Sequence, residues 1–299
     1  MILTMKKAKV YFTKDITPAS VVEMYKKLDN ELKGKVAVKV HSGEKGNQNY
    51  LHPEFLKDII QYVNGTVVEC NTAYPGERDT TVKHQKLMFD HGWSKYFNVD
   101  IMDSEGPDLI LDIPQGRKIK KNYLGKKIKN YDSMLVISHF KGHPMGGYGG
   151  ALKQLSIGCA SSYGKRYIHC VGKKDGTYED MFKAKQDEFL ESMADAASSV
   201  VEYFKGNIVY INIMCNMSVD CDCCATAKSP CMKDIGILAS IDPVAIDQAC
   251  IDLVYNSIDI GKKHLIERIE SRNGIHTIEV AKYLGIGTRE YELINIDKN

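Results

Sequence analysis

Four cysteines, Cys221, Cys223, Cys224 and Cys231, fall inside one eleven-residue stretch, whereas Cys70, Cys159, Cys170, Cys215 and Cys250 are dispersed. Thiolates crowded on a loop can converge on a soft metal ion. Residues on an extended strand alternate between faces, so convergence requires a turn, which Asp222 and residues 225–230 can supply. The spacing is neither the paired C-x-x-C of a zinc ribbon nor the C-x-x-C-x-x-C run of a bacterial ferredoxin. Packed free thiols that behave as small hydrophobes are the plainer alternative.

A second constellation, Ser138-His139-Phe140-Lys141-Gly142-His143, follows directly on an apolar run. His139 and His143 can move protons or ligate a metal, and Lys141 can pair with an anion. Next comes Gly146-Gly147-Tyr148-Gly149-Gly150-Ala151-Leu152-Lys153, which reads as a loop running into a helix whose free amides would bind phosphate or carboxylate. It has neither the Lys-Ser/Thr ending of a Walker loop nor the spaced glycines of a dinucleotide site. About ten residues past it, Gly158-Cys159-Ala160-Ser161 and Gly164-Lys165 supply a thiol, hydroxyls and another cation near the same crevice, and two earlier loops, residues 39–47 and 71–78, add Lys39, His41, Glu44, Asn71 and Arg78. The alternative for each is an exposed charged loop, but several polar, glycine-punctuated loops after successive strands point together to one crevice.

Those loops need strands to hold them. Residues 36–40, 66–70, 99–102, 109–113, 134–138, 208–214 and 236–239 are short apolar runs rich in β-branched side chains. Between them, helix-period segments begin at Thr17-Pro18 and reach Leu32, at Pro53, near Thr80, at about Glu179 and at Asp242-Pro243. Residues 117–129 form a lysine-rich, hairpin-like piece. The alternation predicts an α/β fold with a mostly parallel open sheet flanked by helices, whose ligand crevice lies at the strand ends. The 299 residues are expected to form one unit, with two lobes meeting near residues 140–180 as the alternative arrangement.

Composition narrows the function classes. With 43% hydrophobic and 26% charged residues the chain is expected to fold, and a formal charge of +2 gives no global field for nucleic acid. No apolar run approaches the ~18 residues of a membrane span, and residues 1–10 lack the apolar stretch of a signal peptide. The expectation is a cytoplasmic protein whose cysteines are free rather than a disulfide framework.

Taken in order, Lys39-Val40-His41-Ser42-Gly43-Glu44-Lys45-Gly46-Asn47, Asn71-Thr72-Ala73-Tyr74, Ser138 to His143, Gly149 to Lys153, Gly158-Cys159-Ala160-Ser161, Cys221-Asp222-Cys223 and Asp234-Ile235-Gly236-Ile237-Leu238 with Asp242 to Asp247 resemble the domain-of-unknown-function 362 family. The resemblance spans most of the chain. It implies an iron-sulfur-associated protein. The ferredoxin-like segment inserted in some members is missing here between His169 and Met214, which counts against electron transfer. The resemblance adds Cys159 to Cys221 and Cys223 as ligands, with Cys224 or His169 completing a site for an iron-sulfur cluster or a zinc ion. The expected function is then an enzyme, by redox or metal-assisted acid/base chemistry, on an anionic small molecule. Lys39, His41, Asn71, Arg78, Gly149, Gly150 and Lys153 would bind that molecule, and His139, His143 and Lys141 would act on it. A redox partner protein belongs to the same reading. The alternatives are a noncatalytic metal-handling or binding protein and a purely structural metal.

Overall fold

Thr17 begins the first helix as its sequence implies. Its hydroxyl accepts from the Ser20 amide at 3.2 Å, and Pro18 at the first helical position has no amide to satisfy. The computed structural model describes residues 7–297, so the part of the leader reading that rests on residues 1–6 lies outside it. In chain order, β1 (Ala8–Thr13), α1 (Pro18–Lys26), β2 (Val36–Lys39), α2 (Pro53–Tyr62), β3 (Thr66–Glu69), α3 (Thr81–Asp90), α4 (Trp93–Tyr96) and β4 (Val99–Ile101) make up the first third. α1 stops earlier than the apolar spacing through Leu32 implies. The Leu28 amide closes the last turn onto the Tyr25 carbonyl, and the Leu32 amide turns to the Tyr25 hydroxyl. Leu28 and Leu32 are still buried, so the apolar spacing reported burial beyond the end of the helix.

β5 (Leu109–Asp112) and β6 (Lys121–Leu124) pair antiparallel outside the main sheet, so the lysine-rich piece expected over 117–129 supplies one strand of a hairpin whose other strand is the apolar run before it, and Lys126–Asn130 form a 3-10 turn. β7 (Ser133–His139) then enters the centre of the sheet. β8 (Lys141–His143) and β9 (Gly147–Gly149) form a small hairpin where the sequence implied a loop, and Gly147 makes the turn at φ +81°. After α5 (Ala151–Lys153) and one π-helical turn come α6 (Ser162–His169) and α7 (Gln186–Tyr203). The long helix expected from Glu179 is therefore two pieces, a 3-10 turn over Glu179–Phe182 and α7, separated at the extended Lys185. β10 (Ile208–Met214), β11 (Gly236–Ser240), α8 (Pro243–Asn256), α9 (Lys262–Ser271), α10 (Ile275–Tyr283) and β12 (Tyr291–Asn295) complete the chain.

The main sheet has eight strands in the order β12-β1-β11-β10-β7-β2-β3-β4, and every neighbour is parallel except the two pairings made by β11. The α/β class and the largely parallel sheet read from the sequence are what the structure has. Alternate residues of the central strands feed two cores. Met134, Val136, Tyr210 and Met214 pack on one face, and Leu135, Ile137, Val209, Ile211 and Ile213 on the other. Burial on both faces is why β7 and β10 read as unbroken apolar runs. Strand order reverses between β2 and β7, so the loops leaving β2, β3, β7 and β10 open around one crevice. Among the described residues, no helix is long and apolar enough to cross a membrane.

Asp242 caps α8 by accepting from the Val244 and Ala245 amides at 2.9 and 2.8 Å, and it also accepts from the Thr288 amide at 2.9 Å. Asp242→Ala is expected to lower the unfolding free energy by about 1–2 kcal/mol in urea denaturation. An unchanged midpoint would count against this assignment.

Candidate metal centre

The alternation of β7 and β8 directs His139, Lys141 and His143 towards one loop. Between the first two lies Asp222, wholly buried. Its carboxylate meets His139 Nδ1 at 2.8 Å and Lys141 Nζ at 2.6 Å. His139 Nε2 reaches the Cys215 carbonyl at 2.6 Å, so both ring nitrogens face oxygens, and a doubly protonated ring satisfies both. Burial alone would raise the Asp222 pKa, but His139 and Lys141 outweigh it and hold the carboxyl well below the usual carboxylate range. The backbone of the loop is gripped as well. The Glu44 amide donates to the Asp222 carbonyl at 2.8 Å, Asn47 Nδ2 donates to the Cys221 and Cys224 carbonyls at 3.3 and 2.8 Å, and Asn49 Nδ2 donates to the Lys228 carbonyl at 2.8 Å.

With Asp222 turned inward to these cations, the thiols on either side of it meet His143. One ligand atom from each of His143, Cys221 and Cys223 lies within 4.8 Å of the others, a cluster that could hold a metal ion. A hydrogen bond from Cys223 lowers the Cys221 pKa well below the ordinary thiol value, and it outweighs burial with help from Lys153, Lys141 and His143. Lys153 Nζ stands 3.8 Å from Cys221 Sγ. Cys223, as the donor, is pushed up. Burial, then the Lys153 charge, lowers the His143 pKa to about 4. The two thiols are thus pushed apart, Cys221 towards the thiolate and Cys223 towards the thiol, beside an imidazole that is neutral at pH 7. His143 Nδ1 accepts from the Gly146 amide at 2.8 Å and the Met145 amide at 3.2 Å, which leaves Nε2 to face the sulfurs. Two sulfurs and a nitrogen are donors that suit a soft or borderline metal ion.

Cys223 and His143 line a cavity of about 270 Å³ with His41, Glu69, Cys70, Arg78, Lys153, Lys165, His169 and a rim of apolar side chains. Several residues expected to bind a ligand there are occupied by the protein itself. The Lys39 ammonium is taken up by Glu69 at 2.6 Å, the Val40 carbonyl and Gln154 Oε1. Arg78 donates to Glu44 at 3.2 Å and to the Tyr74 hydroxyl at 2.8 Å, with Glu69 at 3.8 Å. Asn71 bonds Thr81 and His84. These groups build the wall. His41, driven well below its ordinary pKa by burial and then by Arg78, stays on the cavity side with Lys153.

The glycine segment also behaves differently from its expectation. The amides of Ala151 and Leu152, which would have received an anion, are closed by the Asp247 carboxylate at 2.8 and 3.0 Å. Gly149 and Gly150 instead line a void of about 10 Å³ with Ser138, His139, Lys141 and Lys153, space for one water at most.

Cys159, expected among the ligands, stands outside the sulfur group. It ends the π-helical turn fully buried, and its thiol points back to the Gln154 carbonyl at 3.7 Å. Burial pushes its pKa up to about 11. Cys224 is not in the group either, although its amide closes the turn onto the Cys221 carbonyl at 2.9 Å. His169 lies on the cavity wall, stacked on Phe189, with Nδ1 donating to the Lys165 carbonyl at 2.7 Å. Reading the residues singly missed Asp222 as the anchor of the site, whereas Lys165, expected as a further cation near the crevice, does line the cavity. The period-two pattern His139, Lys141, His143 was the available signal for Asp222.

The family model described as Domain of unknown function (DUF362) matches residues 36–252. No curated protein matches the chain. Among solved structures, the chain is similar to the lactate racemase apoprotein from Thermoanaerobacterium thermosaccharolyticum, at 15% identity and a TM-score of 0.43, over 68% of this chain and 50% of that one. It is similar also to a Thermotoga maritima protein solved by a structural genomics consortium, at 10% identity and a TM-score of 0.43, over 89% of this chain and 58% of that one. The chain therefore spans about half the length of the first and 58% of the second.

Proposed function

The chain belongs to the DUF362 family, and from that premise we propose that it is a metal-dependent enzyme that holds one soft ion on His143, Cys221 and Cys223 and takes an anionic small molecule into the adjoining cavity. The observation that carries the reading is the meeting of three donors within 4.8 Å, one a thiol whose pKa its neighbours lower, at the wall of a cavity. Three protein ligands leave a position open, the arrangement of catalytic zinc sites, whereas clusters usually draw on four cysteines. Only two cysteines converge here among the described residues, which favours a single ion over an iron-sulfur cluster.

When bound, the ion would supply Lewis-acid activation of a substrate oxygen. The remaining work falls to the protein. Lys153 stabilises the Cys221 thiolate and offers its charge to an incoming anion. His169 gives its Nδ1 proton to the Lys165 carbonyl, so Nε2 keeps a lone pair, and burial holds its pKa at about 4. It is neutral at pH 7 and can accept a hydrogen bond from a substrate hydroxyl, while a pKa this low makes it a weak base. Lys141 and His139 act through Asp222, by fixing the loop that carries both thiols.

One observation favours a second reading, a metal-handling protein without catalysis. Because His143 Nδ1 accepts two amides, Nε2 carries the proton, and ligation through Nε2 requires that proton to shift to Nδ1 at the cost of both amide bonds, which weakens the third bond and eases loss of the ion. Elemental analysis of anaerobically purified protein separates the outcomes. The enzyme reading expects about one ion per chain that survives dialysis against a weak chelator. Rapid loss to the chelator supports metal handling, and absence of zinc and iron from protein prepared without chelator overturns both.

A further inference from the structure

The cavity next to the thiol pair is polar at its floor and apolar at its mouth. Phe182 and Tyr178, 61% and 42% exposed, mark the mouth together with Met145 and Met181. Lys165, 7% exposed, and Cys70, 1% exposed, mark the floor.

Lys165 differs from the other cations packed around this site. Lys39 is paired with Glu69, Arg78 with Glu44 and Glu69, Lys141 with Asp222, and Lys153 faces the Cys221 sulfur. Among the described residues, Lys165 has no carboxylate within 4.0 Å. Its one hydrogen bond runs to the Ala160 carbonyl at 2.6 Å, which leaves two of the three ammonium donors without a partner. Burial lowers its pKa, and Cys70, Asp103 and Glu69 oppose that effect without reaching bonding distance. A buried charge is costly unless something pairs with it.

We propose that Lys165 is the seat for the carboxylate of a small monocarboxylic acid whose hydrocarbon part lies against Met145, Met181 and Phe182. This rests on the proposed function only in taking the cavity as a receptor for an anion, and it does not require the metal. A single ammonium with two free donors under an apolar mouth matches one carboxylate with an apolar tail. A phosphate dianion calls for more donors than this floor supplies.

Calorimetric titration of the full chain with acetate, butyrate, hexanoate and inorganic phosphate tests the proposal. Affinity is expected to rise about fourfold per added methylene, with phosphate weaker than hexanoate. Lys165→Gln should weaken hexanoate at least tenfold. Lys165→Met should abolish binding while raising the thermal midpoint, because an unpaired buried charge is replaced by a side chain of similar length. Equal hexanoate affinity in wild type and Lys165→Gln overturns the proposal, as does an affinity independent of chain length. Retained binding in a protein that takes up no metal upholds the carboxylate seat while the metal reading falls, and lost binding in a metal-loaded protein does the reverse.

Discussion

Asp222→Ala is expected to lower the stability of the protein by about 3–5 kcal/mol, the largest single effect of any substitution around the site. The carboxylate is wholly buried between His139 and Lys141, so its removal leaves two cations in a region without solvent to receive them. Urea unfolding of the two proteins at pH 7 measures the loss, and a difference under about 1 kcal/mol would refute the anchoring role. The pH dependence supplies an independent check. The Asp222 carboxyl is held below its unfolded value of about 3.9, so the unfolded chain takes up this proton first on acidification. The stabilisation is complete at neutral pH and fades as pH falls through the folded-state value. Below about pH 4 the gap between wild type and variant should therefore narrow.

Cys221→Ser and Cys159→Ser should separate the two ligand sets that differ in Cys159. Cys221 supplies the thiolate of the cluster, so its loss is expected to weaken zinc or cobalt binding by about a hundredfold or more. Cys159→Ser should leave that affinity within about twofold, and cost about 1–3 kcal/mol of stability instead, because a hydroxyl replaces a thiol in a wholly buried position. Cobalt titration followed by thiolate-to-metal absorption reads both variants. Equal loss of the cobalt spectrum in the two proteins would restore Cys159 to the site.

Much of the frame was legible in the chain because its rules are local. Thr17-Pro18 and Asp242-Pro243 each begin a helix whose free amides the preceding side chain satisfies. The runs at 134–138 and 208–214 became strands because both faces of the sheet are covered. The crevice loops were legible for the same reason, since each follows a strand. What could not be read was the pairing across the fold. Lys39 and Arg78 look like ligand cations in sequence, and only the tertiary structure brings Glu69 and Glu44 to them. Cys159 lies as close to the glycine segment as a ligand would, yet the π-helical turn sends its thiol into the core. Asp222 read as a turn former because its partners are more than eighty positions away along the chain.

The grip of Glu44, Asn47 and Asn49 on the cysteine loop bears on how a ligand would enter. Four carbonyls between Cys221 and Lys228 are already held by the segment that leaves β2. The receptor is thus preorganised, and little chain ordering remains to be spent on loading. Uptake of an ion should raise the melting midpoint while the transition stays a single cooperative step, with almost no change in heat capacity before it.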